Sequence, residues 1–278
     1  MNTATVVLTR PLSQCAAMLK TLQTSGRKVV HFPMFDIAPL RDETKLTQIL
    51  PRLSEYALVV FVSPAAIRMC LSQPYFQEHA WPKDLAIAVM GAGSRATLHE
   101  FGISSENYTV ISPSNTERTD SETLLDDLDL AQLQDQKVLL IRGETGRELF
   151  ADALRQAQIA VDVVAAYRRV IPEFDSVRAE TLRRLIEPND EPNEEPQGSE
   201  QERQQTAWVI TSSEVLSTLL KWASCLALPD AVVKMQQQKL FVPHFRIAQT
   251  AKELGFLSIT LTASGDENLL VALQLHHD

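Results

Sequence analysis

The 278-residue chain is poor in the residues that build covalent staples, metal sites and membrane spans. Its three cysteines, Cys15, Cys70 and Cys225, stand far apart with no CxxC and no Cys/His pairing. That excludes a disulfide framework or zinc finger and predicts buried, reduced thiols. Six histidines show no HExxH or HxxxH spacing, and His276 and His277 sit at the very end, so no metal site is expected. No run approaches the ~20 apolar residues of a bilayer span. Met1 to Thr5 lacks the basic start and apolar core of a signal peptide, so the expected compartment is the cytoplasm, with no membrane partner. Positive charge is scarce: 26 Lys and Arg stand against 35 Asp and Glu, a net charge of −9. A general nucleic-acid binder would show a basic face and is not expected. A small anionic ligand stays open, because it needs only local positive potential. There is no GxxxxGK[ST] loop, no GxSxG elbow and no spaced carboxylate pair.

What is present is apolar substance and an internal echo. With 45% hydrophobic and 22% charged residues, the chain can build one large or two medium cores. VVLTRP (6–11) and KVLLIRG (137–143) are both short apolar runs ending in arginine. Arg10 aligns with Arg142, Leu22 with Leu154 and Val29 with Val161, all at an offset of 132. The echo continues in order. LVVFVSPAAIRMCL (58–71) resembles WVITSSEVLSTLL (208–220), with Ser63 opposite Ser212 at an offset of 149. AVMGAGSRATLHEFGI (88–103) resembles FVPHFRIAQTAKELGF (241–256), with Gly102 opposite Gly255 at 153, and SETLLDDL (121–128) resembles DENLLVAL (266–273) at 145. Four collinear matches predict a duplicated domain.

Each half alternates short β-branched strands with helical segments, the pattern of βαβ units and a parallel sheet covered on both faces. Two flavodoxin-like or Rossmann-like α/β lobes follow. Pro11 suits a first helical turn, Ser63-Pro64 and Ser94 suit N-caps, and Gly26, Gly102 and Gly255 suit helix stops. Between them, EPNDEPNEEPQGSEQERQQ (187–205) holds seven acids, one Arg and three Pro, and predicts a disordered surface insertion. Its charge of −6 leaves only −3 of the chain's −9, so the acidity says little about the site.

In a parallel α/β sheet, ligands bind beyond the carboxyl ends of the strands. Those ends here are Thr9-Arg10, Ser63-Pro64-Ala65, Gly91-Ala92-Gly93-Ser94, Arg142-Gly143, Thr211-Ser212-Ser213 and Pro243-His244. The set is small and hydroxylated, with no acid among its members. Helix N-termini with free amide N–H groups favour anions, so two facing rims of this kind suit a polyanion. For each Ser or Thr the bland alternative is a helix cap. For Arg10 and Arg142 the choice is a substrate carboxylate or a brace within their own lobe. Arg147 sits in a predicted first helical turn, an unfavourable place for a cation unless an anion is near. GAGSRA (91–96) meets a dinucleotide GxGxxA pattern, but YTVISPS (108–114) lacks the ribose-reading acid. Tyr167 has two readings: a proton donor aimed into the ligand site, or a packed core-edge ring with a wet hydroxyl.

VVLTRP, FPMFDIAPL, LVVFVSPAAI, GAGSRATLHEFG, VLLIRGETGRELFADAL, VDVVAAYRRV, WVITSSEVL and SGDENLLVAL, in this order and across nearly the whole chain, resemble the uroporphyrinogen-III synthase family. The RGxxGREL stretch followed by YxR is the most specific part. The resemblance implies two α/β lobes with parallel sheets joined by a two-stranded linker, the first lobe discontinuous. The boundaries expected are 1–36 plus 169–278 for the first lobe and 37–168 for the second, with linker strands near 31–40 and 163–172. It implies an enzyme of heme biosynthesis, a hydro-lyase that cyclises the linear tetrapyrrole hydroxymethylbilane to uroporphyrinogen III. Water is lost and ring D is inverted through a spiro intermediate. No metal or organic cofactor is implied. Tyr167 matches the family's linker tyrosine, a candidate acid for hydroxyl loss. Ser63, Ser94, Thr211 and Ser212 match hydroxyl-bearing turns, and Gly91 a glycine whose N–H faces a carboxylate. Ser94 stands where Thr is usual, and His244 and Ile247 replace a Gly-x-x-Thr turn. The expected state is a monomer, with hand-over of substrate from the upstream bilane-forming enzyme. The competing reading is a non-catalytic two-lobed cytoplasmic binding protein for a small polyanion.

Overall fold

The computed structural model describes residues 4–113, 121–146, 148–187 and 206–275. After Glu187 the acidic insertion lies outside the described residues, as does Arg147. The chain opens with β1 (Val6–Leu8), α1 (Leu12–Thr24), β2 (Val29–His31), β3 (Asp36–Ala38) and α2 (Thr44–Ile49). A 3-10 turn (Leu50–Glu55) leads to β4 (Leu58–Phe61), α3 (Pro64–Leu71), α4 (Tyr75–Glu78), β5 (Ala86–Val89) and α5 (Ala92–Glu100). Then come β6 (Val110–Ile111), α6 (Ser121–Asp126), β7 (Lys137–Gly143), α7 (Leu149–Gln156), β8 (Ala160–Val170) and α8 (Ser176–Ile186). The chain ends with β9 (Ala207–Val209), α9 (Ser213–Ser224), α10 (Ala231–Gln236), β10 (Lys239–Val242), α11 (Phe245–Glu253), β11 (Ser258–Leu261) and α12 (Asp266–Leu275).

Contacts divide these elements into two compact units, Met1–Asp36 with Ile171–Asp278, and Ile37–Val170. The first unit holds a five-stranded sheet in the order β11-β10-β9-β1-β2, and the second a six-stranded sheet in the order β3-β8-β7-β4-β5-β6. The ladders β1–β2, β1–β9, β9–β10 and β10–β11 are parallel, as are β4–β5, β4–β7, β5–β6 and β7–β8. Two α/β sheets of the doubly wound kind are therefore present, as the alternating pattern implied. VVL of β1, LVVF of β4 and AWV of β9 are buried at every position. Continuous apolar runs of this sort suit parallel strands with helices on both faces.

The sequence offsets are also register offsets. Val6 pairs with Val29 and Val138 with Val161, each position 132 residues further on. Val6 also pairs with Ala207 and Val138 with Leu58, and Ala207 lies 149 beyond Leu58. Ala207 pairs with Lys239 and Leu58 with Ala86, and Lys239 lies 153 beyond Ala86. Insertions change the loop lengths while the ladder pairing stays the same. In each sheet the strand order reverses once, between β1 and β9 and between β7 and β4.

Three expectations change in detail. Ser94 is not a cap: α5 starts at Ala92 behind Gly91, which is extended (φ 163°, ψ −170°), and Ser94 is its buried third residue. The Gly91 carbonyl accepts from both Ser94 N and Arg95 N, which starts the helix early. Cys15 and Cys70 are buried as expected, but Cys225 is exposed because it follows the last turn of α9. HFPMFDIAPL (31–40) is not one strand: β2 stops at His31 before Pro33, which has no N–H, and β3 begins at Asp36. Gly102 and Gly255, matched in the echo, both close their helices at positive φ, +75° and +83°. Among the described residues no helix is long and apolar enough to cross a membrane.

Candidate active site

In the second unit, three strand ends converge. Ser63 leaves β4 extended (φ −163°, ψ 158°), its Oγ accepts from Ala66 N at 3.2 Å, and Pro64 occupies the first helical position of α3. A hydroxyl cap followed by proline starts a helix at that point because both satisfy or remove orphan N–H groups. Ala65, the next residue, is buried. A Cβ added at Gly93 in the first turn of α5 would meet Pro64 Cγ at 3.9 Å. That closeness brings Gly91 and exposed Ala92 beside the start of α3.

The third end is β7, and here β8 bulges. Arg142 pairs with Ala165, but Gly143 pairs with Tyr167, so Ala166 is left over. A bulge re-aims the side chains that follow it. Ala166 and Tyr167 are consecutively buried, which breaks strand alternation, and Tyr167 is only 4% exposed. Its ring lies over Gly143, where a Cβ would stand 2.9 Å from Cζ. Its hydroxyl reaches Ser63 Oγ at 3.2 Å, and Glu144 N donates to its carbonyl at 2.7 Å. The ring is thus packed, and the hydroxyl sits at the N-terminus of α3. Arg142 is ion-paired with Glu148 in its own unit, with its side chain 13% exposed.

In the first unit, the hydroxyl of buried Thr9 donates to Val209 O at 2.7 Å, tying β1 to β9 across the point where strand order reverses. That hydroxyl is spent on the sheet. Arg10 forms an ion pair with Asp266 at 2.8 Å and lies 3.7 Å from Met18 Sδ. Its carbonyl accepts from His31 Nε2 at 2.9 Å and from Cys15 Sγ at 3.6 Å. Burial pushes the Cys15 thiol up against the opposing effect of Arg10, so it is held as a neutral donor. The brace reading of both arginines therefore has direct partners. Ser212 caps α9 in an extended conformation (φ −146°, ψ 135°) without a side-chain bond, and Ser213 Oγ lies 3.2 Å from Thr250 Oγ1. Thr211, Ser212 and Ser213 are all half-buried.

The structure thus brings together Ser63, Pro64, Ala65, Gly91, Ala92, Gly143 and Tyr167 in one unit, and Thr9, Thr211, Ser212 and Ser213 in the other. Ser94 is buried beneath its helix, and Arg10 and Arg142 are turned to acids. Sequence reasoning missed two acids next to these turns, exposed Glu144 after Gly143 and exposed Glu214 in the first turn of α9. It also missed the bulge at β8, which no residue type announces. A cavity of about 270 Å³ lined by Lys28, Arg184 and Thr206 lies elsewhere, at the amino ends of the first unit's strands. It faces away from the carboxyl edge where doubly wound sheets bind ligands.

Fold and rim together define a doubly wound α/β protein that presents hydroxyls and helix N-termini at the carboxyl ends of its strands. A family model described as "Uroporphyrinogen-III synthase HemD" matches residues 16–264. The chain belongs to the uroporphyrinogen-III synthase family, enzymes of tetrapyrrole biosynthesis. It is 28% identical over 272 residues to the uroporphyrinogen-III synthase of Escherichia coli K12, covering 97% of this chain and 99% of that protein. It is 25% identical over 270 residues to the Salmonella typhimurium synthase, with 97% and 99% covered. Among solved structures, a mutant uroporphyrinogen III synthase from the extremely thermophilic bacterium Thermus thermophilus shares the fold at a TM-score of 0.56 and 13% identity, covering 98% of each chain. The Helicobacter pylori synthetase does so at 0.56 and 12%, covering 98% of this chain and 100% of that one.

Proposed function

We propose that this chain cyclises hydroxymethylbilane to uroporphyrinogen III at the carboxyl edges described above. The family match across residues 16–264 carries this reading, and the chemistry of the rim supports it. The substrate is a flexible octa-acid. Amide N–H groups at the starts of α3, α5 and α9, with the hydroxyls of Ser63, Thr211, Ser212 and Ser213, suit its carboxylates. Gly91, Ala92, Pro64, Ala65 and Gly143 contribute main chain and close approach. Thr9, Ser94, Arg10 and Arg142 support these turns from behind.

The reaction begins with heterolysis of the hydroxymethyl C–O bond. The pyrrole nitrogen supplies the electron pair, and the departing oxygen takes a proton and leaves as water. Tyr167 is the proposed donor. Ala66 N already occupies one lone pair of Ser63 Oγ, so the Ser63 proton can be given to Tyr167 Oη. The phenolic proton is then directed to the substrate, and the α3 N-terminus favours the negative oxygen left behind. The resulting azafulvenium carbon is attacked by the substituted carbon of ring D, giving the spiro intermediate. Cleavage and reclosure invert that ring, and the final ring-carbon proton returns to Tyr167. The balance is loss of one water. A proton and the substrate's own electrons suffice, so the proposal calls for no metal or organic cofactor. Because the bilane also closes unaided to the uninverted isomer, holding its conformation is the larger task.

The proposal includes a cytoplasmic monomer that receives its substrate from the bilane-forming enzyme. It takes the sequence boundaries, 1–36 plus 169–278 and 37–168, as the enzyme's two lobes. The test is an assay with freshly made hydroxymethylbilane, in which type III product in excess of the enzyme-free control supports the synthase. Binding without any change of product would favour the non-catalytic binding protein.

A further inference from the structure

We propose that Phe245 and Arg246 contact the tetrapyrrole, the ring against a pyrrole face and the guanidinium on a side-chain carboxylate. This rests on the synthase reading. Strand β10 lies beside β9 and ends at the same carboxyl edge, where Pro243 and His244 turn the chain into α11. Buried Ser264 holds that turn, with its Oγ 3.4 Å from Pro243 O and 3.5 Å from His244 Nδ1. The next turn of α11 is fixed as well: Thr250 Oγ1 donates to Arg246 O at 3.0 Å and reaches Ser213 Oγ, at the start of α9, at 3.2 Å. Ile247, Ala248 and Ala251 bury the opposite face of the helix. The platform is thus firm and attached to a turn already assigned to the substrate.

On this platform the exposed residues are the wrong ones for a bare surface. Phe245 is 69% exposed, in a chain with only 6% aromatic residues. A single exposed apolar side chain would be ordinary. Its neighbour makes the difference. Arg246 is the second residue of α11, makes no ion pair or side-chain hydrogen bond among the described residues, and has no acid in its own first turn. A cation there opposes the helix dipole unless an anion arrives from outside. Beside it, Thr211 and Ser212 on the neighbouring β9 turn carry hydroxyls with no bonding partner among the described residues. An aromatic face, an uncompensated guanidinium and two free hydroxyls on adjoining strand ends match a ligand made of pyrroles bearing carboxylates.

The test is steady-state kinetics of the full chain with hydroxymethylbilane, resolving type III from type I product. Arg246→Gln raises KM about tenfold and weakens its salt dependence, the loss expected for one charged hydrogen bond. Phe245→Ala raises KM about fivefold through lost apolar contact. In both, kcat stays within about twofold, since neither group serves the bond-breaking step. Lys20→Gln, an exposed cation on α1, is the control and leaves KM unchanged. Both residues are exposed, so the melting temperature holds in each variant. Wild-type KM in Arg246→Gln and Phe245→Ala, while type III product still forms, overturns the inference and leaves the synthase reading intact. Wild-type protein that yields only the type I product overturns the synthase reading instead.

Discussion

Gly143 and Tyr167 face each other across a bulged ladder, the ring so close that any side chain at residue 143 would collide with it. A glycine is needed here for space alone. Gly143→Ala puts a methyl group 2.9 Å from Tyr167 Cζ and forces the ring off Ser63. The expected outcome is a loss of about 1–3 kcal/mol of stability from overpacking, together with a fall in kcat. Chemical denaturation and steady-state kinetics on the same preparation check both.

Ser63 has two tasks, capping α3 and bonding the tyrosine hydroxyl. Ser63→Ala removes the cap at a cost of about 1 kcal/mol and leaves Tyr167 without its donor, so kcat drops by more than stability accounts for. Ser63→Thr keeps the oxygen and recovers most of the rate. Equal rates in the Ala and Thr variants would detach Ser63 from the chemistry.

Thr9 separates structure from binding. Its hydroxyl is committed to Val209 O, so Thr9→Val strands a buried carbonyl and costs about 1–3 kcal/mol. KM for hydroxymethylbilane stays at the wild-type value. Thr211→Val and Ser212→Ala behave in the opposite way, raising KM with little change in melting temperature.

On the acid side of the stability profile, hydrogen bonds hold Asp42, Glu55, Glu100 and Glu180 below the usual carboxylate range, and Glu180 is shifted furthest. Hydrogen bonds from Arg183 and then Arg184 hold the Glu180 carboxyl down, from 4.5 to about 2. A depressed acid contributes stability that is present above its unfolded value and is lost as pH falls through the folded one. The contribution of Glu180 therefore disappears between about pH 4.5 and about pH 2. Because the group is at the surface, its effect is small and screened by salt. Glu180→Gln flattens the dependence of melting temperature on pH in that window at low ionic strength, and leaves the slope above pH 5 untouched.

Much of this was legible in the sequence, for a physical reason. Strands buried on both faces must read as apolar runs such as VVL and LVVF, and helix starts must answer their orphan N–H groups, as Ser63 and Pro64 do. Those local demands locate the carboxyl ends of the strands, and with them most of the rim. What stayed hidden depends on pairing between distant residues. The bond from Thr9 to Val209 spans 200 positions, and Arg10 finds Asp266 only after the sheet assembles. The β8 bulge adds one residue, Ala166, of a type equally at home in a regular strand. Ser94 read as a cap because its hydroxyl suits one, yet extended Gly91 starts α5 three residues sooner.

The most direct measurement is the isomer composition of uroporphyrinogen formed from hydroxymethylbilane by wild-type protein and by Tyr167→Phe. The account predicts nearly all type III from the wild type. From the variant it predicts type III formation about 10²–10⁴-fold slower, with affinity for uroporphyrinogen III retained. Type I product at the spontaneous rate from the wild type would contradict the assigned reaction. An undiminished type III rate in Tyr167→Phe would contradict the role given to the tyrosine.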